Sequence, residues 1–284
     1  MSSQPEQRAA VLGLGIIGSR ACSRLADAGW QVRCWNRTPK GNAGETASPE
    51  AAIDGASIIS LYLKDAIATR EVVGRIAEFL IAGQTVLNHA TLDLDTTLWM
   101  SELCESRGCR FLDTPFTGSK VASANGQLVY YTGGDEALAK ELEPYLAVTS
   151  KARIHCGAVG SATVVKLATN LISACTVQAM AESLAIATSH GVSAQCLIDA
   201  VSQNACASVL TGMKFPSMAA GDFDTHFSLS NMGKDSRYML ALAQSAGLET
   251  PAIAAVSKRM GELDAAGLGD LDYSAVVKPY QTGA

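Results

Sequence analysis

Charged residues are scarce in this sequence, since aspartate, glutamate, lysine and arginine together make up only 17% of its 284 positions. The formal net charge is -5, so the chain lacks the strongly basic balance that favours nucleic acid or an anionic membrane. Hydrophobic residues make up 48%, which argues against a disordered chain. We therefore expect a folded protein with no nucleic-acid partner and no membrane partner.

Cysteines at metal-binding spacing are also missing. The eight cysteines are scattered along the chain, with no CxxC pair and no cluster with histidine. The pattern predicts reduced, mostly buried thiols and no metal site. The amino-terminal segment MSSQPEQR has neither the apolar run of a signal peptide nor a transmembrane length, so we expect a cytoplasmic protein.

The length of the chain favours two domains. Strand-like and helix-like segments alternate over residues 1–158, which is typical of a Rossmann-type, doubly wound parallel sheet in the α/β class. Residues 159–284 have a helical pattern throughout and predict an all-helical second domain that includes a long inter-domain helix. The main predicted strands cover 8–13, 31–36, 57–63, 85–90, 109–116 and 152–157, and the helices of the first domain include 65–82, 93–107 and 135–147.

The first predicted strand runs directly into a glycine-rich turn, GLGIIG. Its three glycines fit the GxGxxG pattern, in which they make a tight turn, admit a pyrophosphate and let the next helix pack on the strand. The motif alone is weak, but strand, helix and second strand follow in the order that a dinucleotide-binding unit requires. The turn predicted to bind the cofactor comprises Gly13, Leu14, Gly15, Ile16, Ile17 and Gly18.

The end of the second predicted strand indicates which dinucleotide is bound. An NAD enzyme places an acidic residue there to bind the ribose 2′-hydroxyl, whereas this chain has Asn36, Arg37 and Thr38. A guanidinium with two small hydrogen-bonding side chains suits a 2′-phosphate. The sequence therefore predicts NADP, although Arg37 is also compatible with an ordinary solvated loop.

Other candidate residues lie where the following strands end, because ligands of such sheets bind beyond the carboxyl ends of the strands. Tyr62, Leu63 and Thr91 are candidates to line the cofactor, and Thr91 is equally suited to cap the next helix. The segment 117–126, TGSKVASANG, predicts a loop. Backbone N–H groups of Gly118 and Ser119, with the hydroxyls of Thr117 and Ser119, are a candidate cradle for a substrate carboxylate, and an ordinary crossover loop fits equally well.

The stretch 157–190 is apolar, lacks proline and predicts one long buried helix. Lys166 and Asn170 interrupt it four residues apart, so their side chains share one face. A lysine in such a run often extends its ammonium to water along apolar surface. The alternative is a catalytic amine. Further along, Lys234 and Asp235 predict either a solvated pair or a contact on the cofactor.

Four segments together resemble the β-hydroxyacid dehydrogenase family, which includes 3-hydroxyisobutyrate dehydrogenases and glyoxylate and succinic semialdehyde reductases. They are GLGIIG at 13–18, DTPFTGSKVASANGQL at 113–128, GAVGSATVVKLATN at 157–170 and FSLSNMGKD at 227–235. The resemblance covers nearly the whole chain. Two departures, Thr117 in place of a serine and Ser119 in place of a glycine, make the substrate class less certain than the reaction type.

The resemblance implies roles for several of these positions. Lys166 corresponds to the family's catalytic lysine and Asn170 to its substrate-orienting asparagine. Thr117, Gly118 and Ser119 correspond to its carboxylate-binding loop. Thr91 and Lys234 correspond to cofactor contacts, and a homodimer or homotetramer is expected.

The resulting hypothesis is an NADP-dependent oxidoreductase that interconverts a small carboxylated aldehyde or keto acid and its hydroxy acid by hydride transfer. Lys166 acts in it as general acid and base, a role that requires a pKa lowered toward neutrality. Two alternatives are imine reduction on the same scaffold and a non-catalytic NADP-binding module. The related imine reductases usually replace the catalytic lysine and lack the Lys234–Asp235 segment, so retention of both favours carbonyl reduction.

Overall fold

A computed structural model describes residues 7–281. The chain forms two compact units, Met1–Lys166 and Leu167–Ala284. The predicted domain boundary between residues 158 and 159 lies upstream of this division and stays a prediction. The α/β class, the Rossmann-type first unit and the helical second unit agree with the sequence-based prediction.

Within the described residues, one sheet of eight strands forms the centre of the first unit, in the order β2-β1-β3-β4-β5-β7-β6, with β8 beside β7. β1 to β5 run parallel to one another. The far edge differs from the predicted parallel sheet, because β7 runs antiparallel to β5 and β6 while β8 is parallel to β7. The strands are β1 (Arg8–Leu12), β2 (Gln31–Trp35), β3 (Ile58–Leu61), β4 (Thr85–Asn88), β5 (Arg110–Asp113), β6 (Phe116–Thr117), β7 (Leu128–Gly133) and β8 (Ser150–Gly157).

Helices connect these strands, and two of them lie where no helix was predicted. α2 begins after Ser48, whose side chain accepts a hydrogen bond from Ala51 N, and α5 begins after Ser119 in the same way. The single helix predicted over 135–147 is two helices, because Pro144 has no N–H for the helical ladder. The helices are α1 (Ile16–Asp27), α2 (Pro49–Ile53), α3 (Ala66–Ile76), α4 (Leu94–Ser106), α5 (Lys120–Ala124), α6 (Glu136–Glu141) and α7 (Glu143–Leu146).

The predicted long helix is present as α8 (Ser161–Ser189), 29 residues long. It begins later than predicted because β8 extends to Gly157 and because Gly160 has a φ of 87°, which ends the preceding turn in a left-handed conformation. The expectation of a buried helix is only partly right, since Ile172 and Ile186 are 65% and 63% exposed. By length and composition alone this helix is apolar enough to cross a membrane, a test that core helices of soluble proteins also pass.

The second unit packs its helices around the inner face of α8. Leu167, Val177 and Leu184 of that face belong to one buried apolar cluster with residues such as Phe215 and Met260. A short 3-10 helix, Tyr273–Val277, completes the cluster. The remaining helices are α9 (Ala194–Ser202), α10 (Val209–Ala220), α11 (Leu229–Ser245), α12 (Pro251–Leu263) and α13 (Lys278–Gln281).

A buried ion pair fixes the segment that precedes α11. Lys214 Nζ lies 2.7 Å from Asp272 Oδ1, and both side chains are under 10% exposed. Asp272 Oδ2 accepts hydrogen bonds from the backbone N–H groups of His226 and Phe227, while Oδ1 accepts from Ser274. Burial alone raises the pKa of Asp272, but the hydrogen bonds from Lys214 and Ser274 outweigh it and hold the pKa below its usual range.

Substitution of Asp272 by alanine is expected to lower the free energy of unfolding by about 3–5 kcal/mol, because it leaves the Lys214 ammonium buried without its counter-ion. Lys214→Met also leaves one buried charge, but it is expected to cost less, because the Asp272 carboxylate keeps its hydrogen bonds from His226, Phe227 and Ser274. Urea unfolding followed by circular dichroism measures both. Asp54→Ala, which removes the exposed pair with Arg33, is the control and should change stability by no more than about 0.5 kcal/mol. Equal losses for Asp272→Ala and Asp54→Ala would contradict this account.

Candidate active site

The glycine-rich turn between β1 and α1 is shaped by close backbone contacts. Gly13 has a φ of 98°, and a Cβ there would lie 2.3 Å from the carbonyl oxygen of Tyr62. A Cβ on Gly18 would lie 1.9 Å from the carbonyl oxygen of Gly13. These two glycines are therefore required by the packing of the turn itself.

Gly15 is different, because a Cβ added there would meet no protein atom within 4 Å. Gly15 is the N-cap residue of α1 and, as a glycine, makes no side-chain capping hydrogen bond. The first N–H groups of an uncapped helix are available to an anion, and they favour the negative charge of a phosphate. The open space at Gly15 is therefore a cradle that fits the pyrophosphate of a dinucleotide.

A cavity of about 230 Å³ opens beside this turn in the first unit. It is formed by the turn, the ends of β2 and β3, and one side of α3. Among the described residues its lining does not include six of the cofactor residues predicted in the first unit, namely Leu14, Ile16, Ile17, Gly18, Thr38 and Thr91. The lining residues are Gly13, Gly15, Trp35, Asn36, Arg37, Tyr62, Leu63, Lys64, Ala68, Glu71 and Val72.

Asn36 ties the turn to the loop after β2. Its Oδ1 accepts a hydrogen bond from Leu14 N at 2.9 Å, and its Nδ2 donates to the carbonyl oxygen of Thr38 at 2.7 Å. Both ends of the amide are therefore used within the protein. These two hydrogen bonds explain why an asparagine occupies position 36, and they hold the following Arg37 at the cavity.

The cavity contains charged groups that the local sequence pattern did not indicate. Glu71 from α3 lies 3.8 Å from Arg37, measured from Oε2 to a guanidinium nitrogen, and both side chains are more than half exposed. Lys64, which follows β3, also lines the cavity. The segment 36–38 has no carboxylate of its own. The fold brings the carboxylate of Glu71 to it, although Glu71 lies 34 residues after Arg37 in the sequence.

Tyr62 links the cavity to a buried polar network inside the sheet. Its ring stacks on His89 with centroids 4.3 Å apart, and its hydroxyl lies 2.8 Å from that of Tyr130. Burial lowers the pKa of His89 to about 3, so the imidazole is neutral at physiological pH. His89 Nε2 lies 3.2 Å from the hydroxyl of Ser60, and its stacked ring supports one wall of the cavity.

Thr91 does not cap α4, although the sequence made it a candidate. The N-cap residue of α4 is Asp93, whose side chain accepts a hydrogen bond from Thr96 N at 2.7 Å. The capping interpretation of Thr91 is therefore wrong. A helix cap must directly precede the first helical turn, and Thr91 lies too early in the chain.

The predicted substrate loop is partly helical. Thr117 ends β6 and pairs with Val129, and Gly118 follows with a φ of 142°. Side chains rarely adopt this φ, so the position favours glycine, and a Cβ there would also lie 2.7 Å from the end of the Leu128 side chain. The Ser119 hydroxyl accepts a hydrogen bond from Ala122 N at 3.2 Å as the cap of α5. Thr117 and Gly118 are exposed.

Lys166 and Asn170 are both buried on α8, each with 8% of its surface exposed. They are four residues apart in one continuous helix, so their side chains lie along the same face. The interpretation of Lys166 as a side chain that reaches water does not fit its low exposure.

Asn170 is held by the carboxylate of Asp235, for which the sequence, with Lys234, predicted either a solvated pair or a contact on the cofactor. Asn170 Nδ2 donates to Asp235 Oδ2 at 2.7 Å, and Lys234 Nζ lies 2.8 Å from Asp235 Oδ1. Asp235 is 1% exposed and the Lys234 side chain 13% exposed, so the pair is not solvated. A carboxylate accepts and does not donate at neutral pH, and this fixes which end of the Asn170 amide faces it. Asp235 is the residue of this group that sequence reasoning did not assign to the site.

Two family models cover the chain. Residues 8–160 match the NAD binding domain of 6-phosphogluconate dehydrogenase. Residues 160–280 match the model described as NAD-binding of NADP-dependent 3-hydroxyisobutyrate dehydrogenase. The fold, the glycine turn and these matches define an oxidoreductase with a nicotinamide dinucleotide cofactor.

Comparisons with individual proteins indicate the same class of oxidoreductase. Glyoxylate/succinic semialdehyde reductase 1 of Arabidopsis thaliana is 32% identical over 94% of this chain and 96% of its own length. A structure of Mycobacterium tuberculosis 3-hydroxyisobutyrate dehydrogenase with L-serine has a TM-score of 0.90 at 25% identity, covering 98% of this chain and 99% of that one. The chain belongs to the β-hydroxyacid dehydrogenase family.

A more distant likeness concerns the fold alone. An imine reductase from Pseudomonas sp. has a TM-score of 0.64 at 21% identity, covering 96% of this chain and 99% of that chain. The family acts on small-molecule substrates, in agreement with the expected partner class. The predicted homodimer or homotetramer, the cytoplasmic location and the cofactor contact of Lys234 stay predictions.

The open space at Gly15 generates a prediction. Gly15→Ala should leave thermal stability almost unchanged, because its φ of -70° suits alanine and no protein atom is close. It should weaken binding of the nicotinamide dinucleotide by about tenfold or more, since the new methyl group occupies the pyrophosphate cradle. Gly74→Ala in α3 is the matched control, and should leave binding unchanged and add about 0.5–1 kcal/mol of stability. Titration of cofactor fluorescence measures binding, and parental affinity in Gly15→Ala would exclude this phosphate site.

Proposed function

We propose that the protein is an NADP-dependent reductase that interconverts a small carboxylated aldehyde or keto acid, such as a semialdehyde or glyoxylate, and its hydroxy acid. The observation that supports this best is the buried amine of Lys166 on one face of α8 with Asn170, whose amide is oriented by Asp235. An amine on the same helix face as an oriented amide suits proton transfer to a substrate oxygen. The membership of the chain in the β-hydroxyacid dehydrogenase family supports the same role.

Lys166 would donate a proton to the carbonyl oxygen as that oxygen gains negative charge, and would accept it back during oxidation of the hydroxy acid. The nicotinamide cofactor supplies or accepts the hydride when it is bound. Asn170 would hold the substrate oxygen in line with the lysine. Its amide cannot rotate without losing the hydrogen bond to Asp235, so the orientation is set before the substrate arrives.

The loop of Thr117, Gly118 and Ser119 is the proposed carboxylate cradle. Thr117 and Gly118 are exposed to a ligand, and Gly118 presents its N–H on backbone that only glycine adopts readily. The Ser119 hydroxyl accepts from Ala122 N as a cap, so its own hydrogen remains available to a carboxylate oxygen. A substrate with a carboxylate beside the carbonyl or a few bonds away fits this arrangement.

A substrate panel tests the reaction class. We expect NADPH to be consumed with one or more of glyoxylate, succinic semialdehyde, methylmalonate semialdehyde and tartronate semialdehyde. L-serine, which accompanies the Mycobacterium tuberculosis 3-hydroxyisobutyrate dehydrogenase in its structure, is the compound to test in the oxidative direction with NADP⁺. Turnover of cyclic imines without turnover of any carboxylated carbonyl would favour imine reduction instead, and binding of NADPH without turnover of either class would favour a non-catalytic module.

The preference for NADP is proposed from the charges in the cavity. Arg37 and Lys64 supply two cations to the 2′-phosphate of NADP, while Glu71 competes for Arg37. Arg37→Ala should reduce catalytic efficiency with NADPH by about tenfold or more and leave NADH nearly unaffected, because only NADPH has the phosphate. Glu71→Gln should act in the opposite direction and improve NADPH use.

Steady-state kinetics with both cofactors measure these effects. A parent enzyme that prefers NADH, together with weaker NADH use in Glu71→Gln, would mean that Glu71 accepts the ribose 2′-hydroxyl. The proposed preference for NADP would then be wrong.

Lys166→Ala should leave NADPH affinity almost intact and lower turnover by about 10²–10⁴-fold, the usual contribution of a positioned acid. Lys166→Arg should also be slow, because arginine keeps the charge but does not release a proton near neutral pH. Lys151→Ala removes an exposed lysine from β8 and is the control. Rapid turnover by the arginine variant would assign the proton to water or to the substrate.

A further inference from the structure

The helix that carries Lys166 starts without a cap of its own. The residue before Ser161 is Gly160, which has a φ of 87° and no side chain to accept a hydrogen bond from the first turn. The Ser161 N–H donates to the carbonyl oxygen of Ala158 at 3.0 Å. The N–H groups that follow require partners from elsewhere in the protein.

Asp113, the last residue of β5, provides one of these partners. Its Oδ2 accepts a hydrogen bond from Thr163 N at 2.8 Å and another from the Thr163 hydroxyl at 2.7 Å. Its Oδ1 accepts from Asn88 Nδ2 of β4 at 3.2 Å. Asp113 and Asn88 are completely buried and Thr163 is 2% exposed, so water does not compete for these contacts.

Other contacts hold the same turn against the first unit. The Thr97 hydroxyl of α4 lies 3.1 Å from that of Thr163. A Cβ on Gly133 of β7 would lie 3.0 Å from the backbone nitrogen of Ala162, a tighter contact than most side chains make, so glycine favours the close approach of this strand to the helix. The position of the first turn of α8 is therefore set by β4, β5, β7 and α4.

Lys166 lies three residues after Thr163, which is one helical turn further on. A rotation or shift of the first turn therefore moves the lysine with it. We propose that Asp113 is a positioning residue for Lys166, acting as an N-cap supplied by the sheet that fixes the height and rotation of the helix where the proton donor lies. The proposal rests on the function proposed above, in which Lys166 transfers the proton.

The charge of Asp113 is consistent with this role. Burial raises the pKa of Asp113 to about 6, against the opposing effect of the hydrogen bonds from Thr163 and Asn88. The carboxyl is therefore mostly ionised at neutral pH, and a negative charge at a helix N-terminus is favourable. Cys156 of β8 is the titratable group that feels this charge, since its pKa is raised by burial and further by Asp113.

Three variants and a control test the proposal. Asp113→Asn replaces the acceptor-only carboxylate with an amide that faces the Nδ2 of Asn88, and Thr163→Val removes the hydroxyl. Thr163→Ser keeps both donors of residue 163. Asp135→Ala removes a carboxylate that caps α6 by accepting from Ala137 and Leu138, and is the matched control for loss of a helix cap.

For the proposed positioning role, kcat should fall about tenfold or more in Asp113→Asn and Thr163→Val, because small displacements of a catalytic group have large effects. The dissociation constant for NADPH should stay within about threefold. Thr163→Ser should retain near-parental kcat, and Asp135→Ala should lower thermal stability without changing kcat. The double variant of Asp113 and Thr163 should be little slower than the slower single variant, since both lose the same contact.

Hydrogen exchange provides a readout that does not depend on turnover. Amides of residues 161–166 should exchange about tenfold faster or more in Asp113→Asn than in the parent, while α6 should be unchanged. Parental kcat in folded Asp113→Asn, or parental kcat in Thr163→Val, would overturn the proposal. If Asp113→Asn fails to fold, the comparison of Thr163→Val with Thr163→Ser decides it.

Failure of the proposed function has a different signature. The parent would then reduce no carboxylated carbonyl, or Lys166→Ala would be as active as the parent. In that case the exchange rates of residues 161–166 decide whether Asp113 holds the turn, and parental exchange in Asp113→Asn overturns the inference.

Discussion

The continuity of α8 is the constraint on which the arrangement of polar groups depends. A helix without proline from Ser161 to Ser189 fixes the spacing of Lys166 and Asn170 at one turn, whatever the surrounding loops do. Each residue is then tied to a different carboxylate within its own unit. Asp113 holds the turn before the lysine, and Asp235 holds the asparagine directly.

These two carboxylates also show where sequence reasoning stops. Lys166 and Asn170 could be found because a helical period places them on one face, and periodicity is a local property. Asp113 is 50 residues from Thr163, and Asp235 is 65 residues from Asn170. No local pattern links such pairs, and each depends on how strands and helices meet after folding.

The same distinction applies to the fold. Alternating strands and helices predicted β1 to β5 and the helices α1, α3 and α4, because each of these elements has its own apolar period and its own stop signal. The antiparallel β7 was not predicted, although the segment between β6 and β7 covers only residues 118–127 and a parallel crossover needs a dozen or more. The small residues of that segment gave no helical pattern, so α5 was not predicted. The start of α5 depends on the single hydroxyl of Ser119. In the cofactor cavity, Arg37 was visible beside its strand, but Glu71 reached it only through the packing of α3.

The buried His89 has a consequence for how the first unit responds to acid. Histidine is usually the side chain that changes charge between pH 5 and 8, but burial keeps this one neutral well below that range. Asp113 changes charge in this range instead, because its pKa of about 6 lies above the value of a carboxyl in the unfolded chain. The folded protein therefore binds an additional proton as the pH falls through 6, and this one group makes folding more favourable down to about pH 4, where the unfolded chain is protonated as well. His89 acts in the opposite direction, because below pH 6.5 its imidazole gains a proton in the unfolded chain while burial keeps it neutral in the folded protein, so mild acidification favours folding at Asp113 and opposes it at His89.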